Sequence, residues 1–163
     1  MFHIMVVEDD AELRDLFCAV LTERGYQPLP ASDGMEALDI LEHSYVDLII
    51  SDIMMPKMDG FTLTEQLRNA NYDMPILIIT ALDGLEDKRR GFRAGTDDYM
   101  VKPIDVNEMV WRVEALLRRS QINSERRITV GSTVLDCDSL TVSSDGTDTS
   151  LPQKEFLLLF RLL

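Results

Sequence analysis

The stretch LIISDIMMPKMDG, residues 48–60, decides the fold, because it joins a short apolar run to a polar turn. Asp52 follows the apolar run, and Pro56 and Gly60 are typical of a turn that leads into a helix. An earlier stretch, HIMVVEDD at residues 3–10, has the same form and ends in three acids. The two stretches predict two buried strands with carboxylates at their ends.

Short apolar runs alternate along the chain with amphipathic stretches of helical period. The predicted strands lie near residues 3–8, 26–30, 46–51, 75–80 and 98–101. The predicted helices lie near residues 11–24, 34–43, 59–70, 84–94 and 105–119. This alternation predicts an α/β fold, a doubly wound five-stranded parallel sheet covered by helices on both faces. Ligands of such sheets bind at the carboxyl ends of the strands.

Polar residues stand at those predicted strand ends, namely Glu8, Asp9, Asp52, Thr80 and Lys102. Two carboxylates about 4 Å apart repel by roughly 4 kcal/mol at the moderate dielectric of a protein surface. Such a cluster therefore takes up a proton or binds a cation. An all-oxygen donor set suits Mg2+, and an aspartate beside the ion can attack phosphorus. The sequence thus predicts a magnesium site that contains a nucleophile.

Simpler interpretations of these residues stay open. Asp9 or Asp10 can cap the helix that follows, and Lys102 can be a solvated charge near a turn. The neighbouring methionines could suggest a soft-metal site, but the nearby acids select hard cations.

Composition excludes several classes of protein. The 163 residues have a net charge of −13, and residues 1–120 hold 23 of the 29 acidic side chains. This part is unsuited to nucleic acid, whose phosphates need an excess of Lys and Arg. With no apolar run of membrane-spanning length, no signal segment and only Cys18 and Cys137, we expect a cytoplasmic protein without membrane association.

Four segments, HIMVVEDD, LIISDIMMPKMDG, PILIITA and GTDDYMVKP, resemble the signature segments of the receiver domain of bacterial response regulators. The resemblance covers residues 1–119 and implies a flavodoxin-like sheet of order 2-1-3-4-5. It makes Asp52 the acceptor of a phosphoryl group from a sensor histidine kinase. It also implies that Asp9 and Asp52 coordinate Mg2+ directly, that Glu8 acts through water, and that the backbone carbonyl of Met54 is a further ligand.

The same resemblance implies that Lys102 contacts the transferred phosphoryl group and that its peptide bond to Pro103 is cis. It also implies that Thr80 supplies a switch hydroxyl that turns to hydrogen-bond a phosphoryl oxygen. Tyr99 becomes the aromatic partner of Thr80, alternating between an outward and an inward rotamer. Ordinary packing at a strand end is an equally simple role for Tyr99.

Residues 84–119 are similar to the dimerisation face of the OmpR/PhoB type of regulator, which pairs on phosphorylation. The matching intermolecular ion pairs are Lys88 with Glu108, Asp98 with Arg112, and Arg93 with Glu114. The signs of the last pair are reversed relative to the usual order. A solvated charged face is the alternative, because exposed ion pairs contribute little energy.

After Arg119 the composition changes. Residues 120–127 are polar and predict a linker, residues 128–142 alternate as short antiparallel strands do, and SSDGTDTS at 143–150 is rich in turn residues. LPQKEFLLLFRLL at 151–163 has helical spacing. Residues 128–163 resemble the first part of a winged-helix output domain, incomplete and β-rich then helical, truncated before a recognition helix. We therefore expect no specific DNA binding by this chain, and DNA contact only through a complete output domain.

Three functional hypotheses follow. The first is a phosphoaspartate receiver that regulates transcription; its linker and tail also resemble haem-responsive regulators of Gram-positive bacteria, although His3 and His43 do not suggest direct haem binding. The second is a phosphatase of the haloacid dehalogenase type, which needs an aspartate where this chain has Met54. The third is an α/β protein-interaction module that is not phosphorylated. A stand-alone receiver whose phosphorylation controls protein interactions is the alternative to transcriptional output. We favour the first, with no enzyme activity beyond self-phosphorylation from a donor and slow autodephosphorylation.

Overall fold

The computed structural model describes residues 1–120, 127–130, 133–136, 140–144 and 147–150. Residues 1–120 contain the five strands and five helices predicted for this part of the chain, with ends within two residues of those expected. The strands are β1 (His3–Val7), β2 (Gln27–Ala31), β3 (Leu48–Ser51), β4 (Ile76–Thr80) and β5 (Asp98–Val101). The helices are α1 (Ala11–Glu23), α2 (Gly34–His43), α3 (Gly60–Asn69), α4 (Leu85–Ala94) and α5 (Val106–Arg119).

The five strands form one parallel sheet in the order β2-β1-β3-β4-β5, which confirms the predicted doubly wound fold. Every residue of β3 and β4 is buried, so these strands are covered on both faces and carry continuous apolar runs. In β1, Met5 and Val7 pack toward α2 and α3, whereas Ile4 and Val6 pack toward α1 and α5. The sheet therefore has a hydrophobic core on each side, and its carboxyl edge stays open.

Aspartates begin four of the five helices in residues 1–120. Asp10, Asp33, Asp59 and Asp105 are the N-caps of α1, α2, α3 and α5, and each side chain accepts a backbone N–H of the first turn. Helix α4 begins after Gly84, which has no side-chain cap. Because these helices start at the carboxyl edge of the sheet, their caps add to the acidity around that edge.

The described residues beyond position 120 form a second, antiparallel sheet in the order β6-β7-β8-β9. Its strands are β6 (Arg127–Val130), β7 (Thr133–Asp136), β8 (Thr141–Ser144) and β9 (Thr147–Ser150). The predicted antiparallel strands are confirmed.

The composition of residues 143–150 predicts turns, but most of this segment is strand. Thr147 and Thr149 favour strands, and the dipeptide Asp145-Gly146 is typical of a hairpin. The helix predicted within 151–163 and most of the linker predicted at 120–127 lie outside the described residues. Among the helices that the structure describes, none has the length and apolar character that crossing a membrane requires.

Candidate functional site

The carboxyl ends of β1 and β3 bring three acidic side chains together. Carboxylate oxygens of Glu8, Asp9 and Asp52 all lie within 4.8 Å of one another. Glu8 is 2% exposed and Asp52 is 7% exposed, whereas Asp9 is exposed. These three residues form the acidic crater, which has two buried walls and one side open to solvent.

Lys102, just after β5, bridges the two buried carboxylates of the acidic crater and offsets one of their two negative charges. Its Nζ donates to Glu8 Oε1 at 2.7 Å and to Asp52 Oδ2 at 2.8 Å. Burial lowers the pKa of Lys102, but the hydrogen bonds to Asp52 and Glu8 outweigh burial, so the pKa is raised. Lys102 is therefore a fixed positive charge at neutral pH. Its bond to Pro103 is cis, as the resemblance implies.

Burial also affects Glu8. It raises the pKa of the Glu8 carboxyl group; the hydrogen bond from Lys102 opposes this change, and the negative charge of Asp52 adds to it. The negative charge of Glu8 is thus disfavoured by its surroundings, which is the electrostatic condition under which a bound cation is favoured.

The two carboxylate oxygens of Asp52 have different partners. Oδ1 accepts the backbone N–H of Ile53 at 2.6 Å and that of Met54 at 3.3 Å. Oδ2 accepts the ammonium of Lys102. Donors that are already oriented toward an oxygen stabilise negative charge that develops there without further reorganisation. This arrangement can stabilise an anionic group attached to Asp52.

Gly60 holds the turn after Asp52 in place by its lack of a side chain. A Cβ on Gly60 would overlap the backbone oxygen of Asp52 and lie 2.9 Å from the Cα of Ile53. The Gly60 N–H donates to the carbonyl of Ile53 at 2.9 Å. The start of α3 therefore packs directly against the backbone that presents the Asp52 carboxylate.

Gly60→Ala should lower the free energy of unfolding by about 3 kcal/mol, because the added methyl group overlaps backbone rather than a movable side chain. Gly84→Ala is the control, since its Cβ would approach only the rotatable Asp87 carboxylate, at 2.9 Å. The control should cost about 1 kcal/mol through a poorer helix cap. Urea denaturation followed by circular dichroism measures both values, and equal losses would contradict this account of Gly60.

The family model for the response regulator receiver domain matches residues 4–114. The chain belongs to this receiver family. Among curated proteins, it is 39% identical over 162 residues to the heme response regulator HssR of Staphylococcus epidermidis. It is 40% identical over the same length to that of Staphylococcus aureus. Each comparison covers 99% of this chain and 72% of the relative.

Solved structures agree with this assignment. The receiver domain of the Francisella response regulator 1452 is 35% identical and superposes with a TM-score of 0.71, over 74% of this chain and 99% of that one. The fold and the family are thus those that the four sequence segments predict.

Two residues of the receiver frame the approach to the acidic crater from β4 and β5. Thr80 is fully buried, and its Oγ1 lies 3.5 Å from the backbone N of Leu82. Tyr99 is buried with its ring against Gly91, and its hydroxyl donates to the Leu82 carbonyl at 2.7 Å. Burial raises the pKa of Tyr99 to about 12, with nearby acids adding to it. Tyr99 therefore both packs in the core and holds the loop before α4 from an inward position.

The two candidate caps of α1 have separate places in the receiver. Asp10 Oδ1 accepts the backbone N–H of Glu12 at 3.0 Å and of Leu13 at 3.2 Å, so Asp10 is the cap. Asp9 instead contributes its carboxylate to the acidic crater.

The six residues predicted at a dimer interface lie on α4, β5 and α5 of the receiver. Within one chain, Arg112 donates to both oxygens of Asp98 at 2.9 and 2.8 Å and to Glu108 at 2.9 Å. Three of the six residues are therefore already bonded to one another. Trp111 and Phe92 on the same elements are 62% and 53% exposed.

Sequence reasoning missed two contributors to the site. The Leu82 carbonyl anchors Tyr99, but every residue has a carbonyl, so no sequence signal marks this one. Arg14 donates through Nη1 to the Glu8 carbonyl at 2.7 Å. Its position one helical turn after Asp10 was a usable signal, because that spacing returns a side chain toward the strand end.

Proposed function

We propose that this receiver accepts a phosphoryl group on Asp52 from a sensor histidine kinase and so transmits the signal of a two-component pathway. The observation that supports it is the convergence of Lys102 and two buried acids, one of which is Asp52, on the open edge of the sheet. A purely structural ion pair would not require the exposed Asp9 beside it. A protein-interaction module would not require Glu8, Asp9, Asp52 and Lys102 together.

The chemistry requires few parts. An Asp52 oxygen forms a bond to phosphorus while the bond from phosphorus to the kinase histidine nitrogen breaks. The electron pair of that bond goes to the nitrogen, and because the phosphohistidine is protonated on its other ring nitrogen, the ring leaves as neutral imidazole and Asp52 becomes an aspartyl phosphate. Lys102, which now donates to an Asp52 oxygen, then donates to a phosphoryl oxygen instead. The ammonium thus keeps an anionic partner throughout the transfer. The backbone N–H groups of Ile53 and Met54 are held beside the same carboxylate. Catalysis is therefore positioning and charge stabilisation.

The acidic crater fits Mg2+ by its donor set. All its side-chain ligands are carboxylate oxygens, and the exposure of Asp9 leaves an opening for water and substrate. Asp9 and Asp52 would hold the ion directly, Glu8 through water, and the Met54 carbonyl would complete the protein ligands. When bound, the ion neutralises charge on the phosphoryl oxygens.

Intact mass measurement tests the proposal. The purified chain is incubated with acetyl phosphate and Mg2+, and we expect a gain of one phosphate per chain that EDTA suppresses. Release of many equivalents of free phosphate would indicate a phosphatase. No mass change would indicate a protein that acts without phosphorylation. Slow loss of the added phosphate fits a timed reset of the signal, so we propose no enzymatic turnover beyond that.

We further propose that Thr80 and Tyr99 carry the signal toward α4. A hydroxyl at the end of β4 can turn toward a new phosphoryl oxygen, and the loop containing Leu82 moves with it. Because Tyr99 is bonded to that loop, its ring and the α4 residue Gly91 that it touches respond together.

We propose that phosphorylation leads to dimers through α4, β5 and α5. The charges of α4 are mainly basic in an otherwise acidic receiver, and α5 offers Glu108 and Glu114. Exposed Phe92 and Trp111 supply apolar area among these charges. The internal bonds of Arg112 to Asp98 and Glu108 must be shared or exchanged when a second copy approaches.

A charge exchange between Arg93 and Glu114 tests the dimer. Arg93→Glu should weaken dimerisation of the phosphorylated chain at least about tenfold, since like charges then face each other twice across a symmetric interface. The double variant Arg93→Glu with Glu114→Arg should restore it. Sedimentation velocity gives the association constants, and Trp111, the one tryptophan of the sequence, reports locally by fluorescence. If the double variant does not recover the affinity, residues 84–119 form a solvated charged face rather than the proposed dimer interface.

We propose that the output is transcriptional and cytoplasmic, as in a response regulator. The DNA contact then belongs to an output domain, because residues 1–120 are too acidic to bind phosphates.

A further inference from the structure

The turn between β1 and α1 carries two members of the acidic crater, and a cation from α1 reaches back to it. Arg14 is half-buried, and its Nη1 donates to the backbone carbonyl of Glu8 at 2.7 Å. This carbonyl belongs to the first residue after β1, where the chain leaves the sheet. Arg14 thus ties the first turn of α1 to the end of β1.

The bond completes the fixing of Glu8. The Glu8 N–H donates to the Ala31 carbonyl at 3.0 Å, and the Glu8 carboxylate accepts Lys102. The Asp10 N–H lies 3.4 Å from Glu8 Oε2, while Asp10 itself caps α1. Glu8 is therefore held at its N–H, its carbonyl and its side chain. Asp9 stands between Glu8 and Asp10, so this turn sets the direction in which its side chain leaves the backbone.

The charge and the hydrogen bond of Arg14 have opposite effects on the affinity of the acidic crater for a divalent cation. A guanidinium close to the acidic crater repels a divalent ion, so its charge alone weakens binding. Its hydrogen bond orients the turn that presents Glu8 and Asp9, and such outer contacts strengthen binding by holding ligands in place. The sign of the change on removing Arg14 therefore reveals which effect is larger.

We propose that Arg14 is a positioning residue for Mg2+ in the acidic crater, acting through the Glu8 carbonyl, an inference that rests on the proposed magnesium-dependent phosphorylation. The gain in Mg2+ affinity from its hydrogen bond to Glu8 is larger than the loss from its charge repulsion. Arg14 touches neither phosphorus nor the ion and sets the geometry of those groups that do.

Isothermal titration of the purified full chain with MgCl2 measures the effect. Arg14→Met should raise the Kd for Mg2+ about tenfold, the lower end of the range for outer-contact residues. Arg14→Lys, which keeps the charge and one donor, should recover part of that loss. Arg118→Met is the control, because it removes the same charge from the exposed far end of α5 and should leave the Kd unchanged.

The rise of melting temperature on adding Mg2+ is a second measurement, and it should be smaller for Arg14→Met than for the wild type. A merely structural role would lower the melting temperature without Mg2+ and leave the Kd as it was. Tighter or equal binding by Arg14→Met would overturn the inference while the proposed function stands. Absence of Mg2+ binding by the wild type would instead overturn the proposed function itself.

Discussion

Asp52→Asn should abolish phosphorylation by acetyl phosphate, with a loss of more than about 100-fold in the phosphorylated fraction. The amide has nearly the shape of the carboxylate, but it is a poor nucleophile and carries no charge to bind a cation. Intact mass after incubation with Mg2+ measures the effect. The wild type should carry one phosphate per chain, and the variant none.

The variant should also be folded, with a stability in the absence of Mg2+ close to that of the wild type. The neutral amide removes the repulsion between Asp52 and Glu8. This gain offsets the loss of one acceptor, because both Asp52 oxygens accept hydrogen bonds and the amide has only one oxygen. Asp39→Asn, on the exposed face of α2, is the control and should be phosphorylated normally. Phosphate on the Asp52→Asn chain would mean that another residue is the acceptor.

Lys102→Met should have the second large effect on phosphorylation. It should change the phosphorylation rate, the affinity for Mg2+ and the stability in different ways. The rate of phosphorylation should fall about 100-fold, as for loss of a preoriented donor to developing negative charge. The affinity for Mg2+ should rise, because a positive charge no longer competes for Glu8 and Asp52. Without Mg2+, stability should fall by about 3 kcal/mol, since two buried carboxylates lose their partner.

Lys57→Met is the matched control for this variant. Lys57 lies in the loop after Asp52, but its side chain is 68% exposed and its Nζ stands 3.5 Å from Asp33 Oδ2. Loss of such a surface pair should cost about 0.5 kcal/mol or less. Phosphorylation rates come from quenched samples weighed intact, Mg2+ affinities from calorimetry, and stabilities from urea denaturation. A Lys102→Met chain that is phosphorylated at the wild-type rate would remove Lys102 from the proposed chemistry.

The structure also shows what balances part of the negative charge in the acidic crater. Lys102 binds one oxygen of Glu8 and one of Asp52, so a single ammonium is shared by both buried carboxylates. Asp9, the exposed member, remains solvated. In the proposed reaction, an entering cation would meet two carboxylates already held in place, and the phosphoryl group would meet an ammonium already bonded to Asp52.

The sequence by itself determined the order of strands and helices and the residues at the strand ends. Apolar runs such as LIIS and ILIIT can be satisfied only by burial on both faces, which requires helices between them. In a parallel sheet all carboxyl ends lie at one edge, so Asp52 and Lys102, 50 residues apart, could be assigned to one site without coordinates. Local spacing also predicted a cap for α1 directly after the first strand.

Only the tertiary structure decided the contacts that depend on distance and direction. Asp10 caps α1, whereas Asp9 belongs to the acidic crater. The Tyr99 hydroxyl donates to the Leu82 carbonyl, and Arg112 donates to Asp98 of its own chain. Backbone carbonyls and the closeness of Gly60 to Asp52 leave no mark in residue type. Hydrophobic periodicity sets which face is buried, whereas a hydrogen bond forms only where packing brings a donor and an acceptor within about 3 Å.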